Sequence, residues 1–122
     1  MIGYVTLGTN DFERAIAFYD ALLAQLDAKQ FIKSDRMAMW GTEMGAGMLA
    51  VCKPWDEQAA TVGNGVMPAL NVGSKEAVGA LHAKALELGG SDEGAPGPRG
   101  DGFYGGYFRD LDGNKLCAFC FG

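Results

Sequence analysis

Few side chains in this sequence can do chemistry, and most of those carry sulfur or phenol rather than imidazole. There are three cysteines, Cys52, Cys117 and Cys120. A thiolate is a strong nucleophile and a soft metal ligand. Cys117 and Cys120 have the C-x-x-C spacing, but no second pair matches them and they lie in an apolar run, so they read as small buried hydrophobes rather than a zinc pair. The odd count reads as reduced thiols in a cytoplasmic protein. The one histidine, His82, falls in the middle of a helical pattern and reads as structural. Tyr4 and Tyr104 could orient a ligand carbonyl, or act as acids if their hydroxyl pKa fell. Lys53 and Arg99 could meet an anionic ligand. The candidates for catalysis are therefore Tyr4, Cys117 and Tyr104, with no base or cation set beside any of them by sequence alone.

These residues must be positioned by a unit that occurs twice. Residues 3–7 form a strand-like run leading through a polar cap into a helix near Asp11, and residues 66–72 lead through Gly73-Ser74 into a second. Asn10 can cap the first helix, with Glu13 three residues on as in a capping box. Phe12, Ala15, Ile16, Tyr19, Leu22, Leu23 and Leu26 recur at helical spacing. Strands are expected at 29–34, 36–40 and 48–53. In the second half, a helix over 74–88 buries Val78, Leu81, Ala85 and Leu88, and Gly89-Gly90 stops it. A glycine- and proline-rich loop is expected over 91–102, then strands at 103–110 and 114–121 joined through Leu111-Asp112-Gly113. Each half is thus strand, helix, several strands, with the helix covering one face of an antiparallel sheet. Alternation turns Val5 and Leu7 toward the helix and leaves Tyr4 and Thr6 on the open face. In the fifth strand Leu70 and Val72 face the helix, leaving Met67, Ala69 and Asn71 open. Pro68 makes that strand an edge or a junction.

At this point the chain resembles the vicinal oxygen chelate superfamily, which includes glyoxalase I, bleomycin-resistance proteins and extradiol dioxygenases. The residues that carry the resemblance are Tyr4-Val5-Thr6-Leu7-Gly8, the stretch from Asp11 to Tyr19, and Phe108-Arg109-Asp110-Leu111-Asp112-Gly113-Asn114-Lys115-Leu116. The resemblance implies an α+β fold of two tandem βαβββ modules forming an open, barrel-like cleft, and a homodimer. On this reading residues 1–122 form a single domain, with module 1 over about 1–54, a linker over about 55–65 and module 2 over about 66–122. Metal-using members of the family bind a divalent ion through residues that register here on Tyr4, Met67 and Cys117. None is a usual ligand for a hard or borderline catalytic metal, which wants imidazole and carboxylate. No metal and no other cofactor is therefore expected. A one-residue slip on the fifth strand would exchange Met67 for Val66 or Pro68 and restore no ligand. A soft Cu(I) site from Met67, Cys117 and Cys52 is the remaining metal alternative.

Tyr4, Trp40, Met67, Tyr104, Cys117 and Phe119 are the expected pocket residues, lining a site for a planar or hydrophobic small molecule. Trp55, in the polar run 55–58, is a candidate lid or interface anchor. The net charge of −5 and the lack of a basic stripe argue against a nucleic-acid partner. No run approaches the ~18 apolar residues of a membrane span, and no secretory signal is visible. The first functional reading is a glyoxalase/bleomycin-resistance-like binding protein whose metal site has degenerated. Two alternatives stay open: a glyoxalase-type lyase or isomerase, or a dioxygenase-like enzyme, with unorthodox metal ligands; and a metal-free enzyme using tyrosine or cysteine.

Overall fold

The computed structural model describes residues 1–122 as two compact units, Met1–Gly63 and Asn64–Gly122. The first contains β1 (Tyr4–Gly8), α1 (Phe12–Leu23), β2 (Lys29–Lys33), β3 (Met37–Gly41) and β4 (Met48–Cys52). The second contains β5 (Ala69–Asn71), α2 (Lys75–Glu87), β6 (Ser91–Gly100), β7 (Phe103–Arg109) and β8 (Lys115–Phe121). Each unit has one four-stranded sheet, ordered β1-β4-β3-β2 and β5-β8-β7-β6. The sheets are mixed rather than wholly antiparallel, because β1 runs parallel to β4 and β5 parallel to β8. In each unit the helix and two further strands intervene between the parallel partners, so the chain returns in the same direction. No helix is long and apolar enough to cross a membrane.

The helix ends follow local chemistry. Asp11, not Asn10, caps α1, its side chain accepting the Arg14 N–H. Asn10 is used otherwise. Its Oδ1 accepts the Ala60 N–H at 2.7 Å and its Nδ2 donates to the Ala60 carbonyl at 3.1 Å, tying the segment after β4 to the start of α1. Ser74 caps α2 through the Ala77 N–H. At the other end Gly89, at φ 102°, donates to the Leu86 carbonyl, and Gly90 donates to the Ala85 carbonyl. That pair of bonds is a Schellman stop, which needs a left-handed residue at its turn.

Trp40 fixes which face of the first sheet meets α1, because its indole N–H donates to Asp20 Oδ1 at 2.8 Å and its ring lies 5.8 Å from that of Tyr19. The register then carries Ala38, Leu49, Val51, Val5 and Leu7 to the same side. Tyr4, Thr6, Met39, Ala50 and Cys52 point the other way. In the second unit His82 lies against Gly106 and Phe108, which places Tyr104, Gly106, Phe108, Leu116, Ala118 and Cys120 on the α2 side.

Two expectations about the second unit are corrected. The regular part of the fifth strand covers only Ala69–Asn71 rather than 66–72, at the sheet edge expected from Pro68, with the Pro68 carbonyl still accepting the Cys117 N–H. Residues 91–100 are not a loop but the ten-residue edge strand β6. Its pairing with β7 shifts register three times, around Gly94, Gly97 and Gly100. An edge position and bulges are where a strand tolerates Pro96 and Pro98, which donate no ladder bond.

The same strand anchors His82. Its Nε2 lies 3.0 Å from Asp92 Oδ1 and 3.2 Å from the Tyr107 carbonyl, and since both neighbours accept, the proton sits on Nε2. The Asp92 carboxyl is held below its usual range, first by the Gly94 N–H and then by His82. A depressed carboxylate adds stability above its unfolded pKa of ~3.9 and loses it as pH falls through the folded value. Asp92→Asn is expected to be less stable than the parent at neutral pH, the gap closing in acid melts. A gap that is constant with pH would contradict the assignment.

Candidate functional site

The open faces of the two sheets carry the sequence-predicted residues unevenly. In the first unit Tyr4 stands on the face away from α1, about half exposed, at the start of edge strand β1. In the second, Cys117 and Phe119 stand on the face away from α2, and Met67 precedes β5 with its side chain partly exposed. Trp40 and Tyr104 are corrected. Trp40 is core, 2% exposed and bonded to α1. Tyr104 pairs with Cys120 on the α2 side, with Lys75 Nζ 5.5 Å from its ring centre. In both cases strand parity decides: each lies one residue from a position that faces outward.

The open face of the second sheet is the denser cluster. Phe103 and Phe119 stack with centroids 5.0 Å apart and an interplanar angle of 11°. Phe121, largely exposed, meets both edge-on. Beside them Tyr107 sits under two cations, with the Arg99 guanidinium 5.3 Å and Lys115 Nζ 5.5 Å from its ring centre. Such contacts contribute about 0.5–1 kcal/mol each where exposed. The glycines of β6 make room for Arg99. A Cβ at Gly97 would lie 3.0 Å from its Nη1, while its Nη2 donates to the Ala95 carbonyl at 2.6 Å. Next along, Arg109 Nε is bonded to Glu93. The face therefore offers stacked rings with positive charge at one side.

Phe103, Tyr107, Lys115 and Phe121 were not singled out from sequence, although the period-two alternation of β7 and β8 contains them. Arg99 is expected from sequence only as a contact for an anionic ligand, with no aromatic partner. Its place over Tyr107 depends on β6 being a strand. Lys53, flagged alongside it, lies in the first unit with its Nζ 5.4 Å from the Phe12 ring centre.

Cys117 is fully buried, and burial pushes its thiol pKa up, partly offset by a hydrogen bond from Tyr107 and by the charges of Arg99 and Lys115. The thiol is therefore the resting form, which disfavours a nucleophilic role. Alkylation of Cys117 is expected to be slow at neutral pH and to accelerate only above the ordinary thiol range near ~8.5, with the less buried Cys52 reacting first. Fast neutral-pH labelling at Cys117 would contradict this. All three cysteines are unpaired with one another.

The family's usual metal finds no fitting donors at the registered positions, which offer a phenol, a thioether and this buried thiol. Nor do three or more His, Cys, Asp or Glu side chains converge anywhere in the chain.

Comparison with known proteins accords with the architecture. The family model described as the Glyoxalase/Bleomycin resistance protein/Dioxygenase superfamily matches residues 1–118. A glyoxalase/bleomycin resistance protein from Albidiferax ferrireducens T118 is 36% identical, with 98% of each chain covered and a TM-score of 0.90. A hypothetical protein from S. aureus is 26% identical over 98% of this chain and 92% of its own, with a TM-score of 0.73. A glyoxalase-related enzyme from Fulvimarina pelagi, 20% identical over 98% and 87% with a TM-score of 0.77, shares the fold. No curated protein matches the chain.

Proposed function

We propose that this chain, which belongs to the Glyoxalase/Bleomycin resistance protein/Dioxygenase superfamily, binds a small, partly apolar molecule without a metal at the family's usual positions. The observation that carries the reading is the ring cluster Phe103, Phe119 and Phe121 beside Tyr107 and its two cations. Flat rings on a sheet face gain most from a flat apolar ligand, and fixed cations beside them favour one with an acidic or electron-rich edge. Sequestration, as the name of bleomycin-resistance proteins suggests, is the role this supports. A glyoxalase-type reaction would need an acid, base or metal centre; the raised Cys117 pKa argues against that thiol as a nucleophile, and the registered positions offer no usual ligands for a hard metal. Three free cysteines suit a reducing cytoplasm, and family membership suits a homodimer.

A thermal-shift screen of planar aromatic antibiotics and metabolites tests the reading, because a ligand bound only by the native state must raise the melting temperature. The expected result is a concentration-dependent rise that Phe121→Ala and Arg99→Gln both diminish. Phe121 and Arg99 are exposed, so neither change should much alter the fold. The reading fails if every hit shifts both variants as much as the parent. It fails equally if added Ni²⁺, Zn²⁺, Mn²⁺ or Fe²⁺ binds stoichiometrically through the Tyr4, Met67 and Cys117 positions.

A further inference from the structure

A second site stands in the first unit, at the end of the sheet where β1 leaves for α1. Here a cavity of about 780 Å³ opens among the β1–α1 connection, the β2–β3 turn and the segment after β4. That size lies within the range of small-molecule sites. Its position differs from that of the open face, since Lys53 is turned to the α1 side over Phe12.

Its walls are built in advance. Asn10 clamps the Ala60 backbone through two hydrogen bonds. Gly8 lets Ala60 approach closely, as a Cβ there would lie 2.9 Å from the Ala60 Cβ. Arg36 Nη1 donates to the Lys53 carbonyl at 2.9 Å, joining the β2–β3 turn to the end of β4. Glu57, at φ 63°, holds a left-handed conformation uncommon for its type, and such backbone is kept where surroundings impose it.

The lining is chemically specific. Trp55 is 83% exposed, with the Arg36 guanidinium 5.1 Å from its ring centre on one side. An indole left so open on a pinned segment is a ready stacking surface. Arg36 and Lys53 each lie against a ring and keep further N–H donors, and neither Asp35 nor Glu57 is ion-paired with them although both line the same cavity. Two cations call for an anion, while two nearby carboxylates penalise a polyanion.

We infer that this cavity binds a small planar aromatic monocarboxylate, its ring laid on Trp55 and its carboxylate held by Arg36 and Lys53. The protein's two tryptophans give the test an internal control, because Trp40 is buried with its indole N–H bonded to Asp20. Titration with benzoate and 2-naphthoate, followed by ¹H–¹⁵N NMR, is expected to move the Trp55 indole signal saturably and leave that of Trp40 in place. Benzamide, the neutral isostere, should bind at least about tenfold more weakly, the loss of a charge-assisted hydrogen bond, and phthalate should gain nothing from its second charge. Trp55→Ala and Lys53→Gln should each weaken benzoate about tenfold, whereas Arg36→Lys, keeping the charge but not the planar fork, should weaken it less. The Trp55 indole signal reads this cavity, whereas the variants at Phe121 and Arg99 read the second sheet, so the two readings fail separately. The inference is overturned if no saturable shift develops below about 10 mM. It is equally overturned if benzamide matches benzoate, or if Trp55→Ala binds as the parent does.

Discussion

Trp40→Ala should destabilise the protein by roughly 4 kcal/mol while leaving ligand affinity of the folded fraction unchanged. The side chain is 2% exposed and packs against Tyr19 of α1. Removing it leaves a cavity between sheet and helix and strips Asp20 of its indole donor. Trp40→Phe keeps most of the packing and loses only the hydrogen bond, so a cost of about 1–2 kcal/mol is expected. Urea unfolding gives the answer as a lower midpoint at unchanged slope. Phe119 makes the useful contrast, since it lies on the opposite face type, away from its own unit's helix, and partly exposed. Phe119→Ala should cost affinity for a stacking ligand more than stability. If Trp40→Ala proved mild in stability and severe in binding, the assignment of Trp40 to the core would be wrong.

Asp110→Ala should cost roughly 3 kcal/mol, because one buried carboxylate organises the whole β7–β8 turn. Asp110 Oδ1 accepts the backbone N–H groups of Asp112 and Asn114, both at 2.9 Å, and its Oδ2 accepts from Asn114 Nδ2 at 3.0 Å. The Asp110 N–H and carbonyl are bonded in turn to Asn114 and Gly113. Gly113 takes φ 88°, which a side chain would resist. Asp110→Asn keeps an acceptor for the two backbone donors but turns a donor toward Asn114 Nδ2, so about half the loss is expected. Faster amide exchange at Asp112 and Asn114 in both variants would locate the damage. Unchanged stability in Asp110→Ala would show that the turn is held by other means. The Asp-x-Asp-Gly-Asn stretch that signals the family is thus a folding device: it sets the register of β8, and with it the face on which Cys117 and Phe119 stand.

Much of this was legible from the chain alone. The doubled strand–helix order, the α1 stripe and the turn at 110–114 are local, and local propensity and periodicity reveal them. Strand existence was largely readable too; its limits appear at β6, where glycines and prolines look like loop residues until an antiparallel neighbour pairs with them. The site was less legible. Alternation puts Tyr4 on an open face and the family resemblance registers Cys117 there, but neither fixes the phase of every strand. Trp40 and Tyr104 were each placed on the wrong side for that reason, and Phe103 and Tyr107 were passed over with them.

By itself the sequence determined the family and the two-unit architecture, and it placed weak metal donors where strong ones would normally stand. These properties depend on residue type and spacing, which folding does not change. Tertiary structure decided which aromatic rings are core and which are surface, and it brought Arg99 over Tyr107 and Arg36 over Trp55. Those pairings depend on strand register and on side-chain bonds such as that between Asn10 and Ala60, which join residues 50 positions apart. Contacts of that range exist only once the backbone has closed around them.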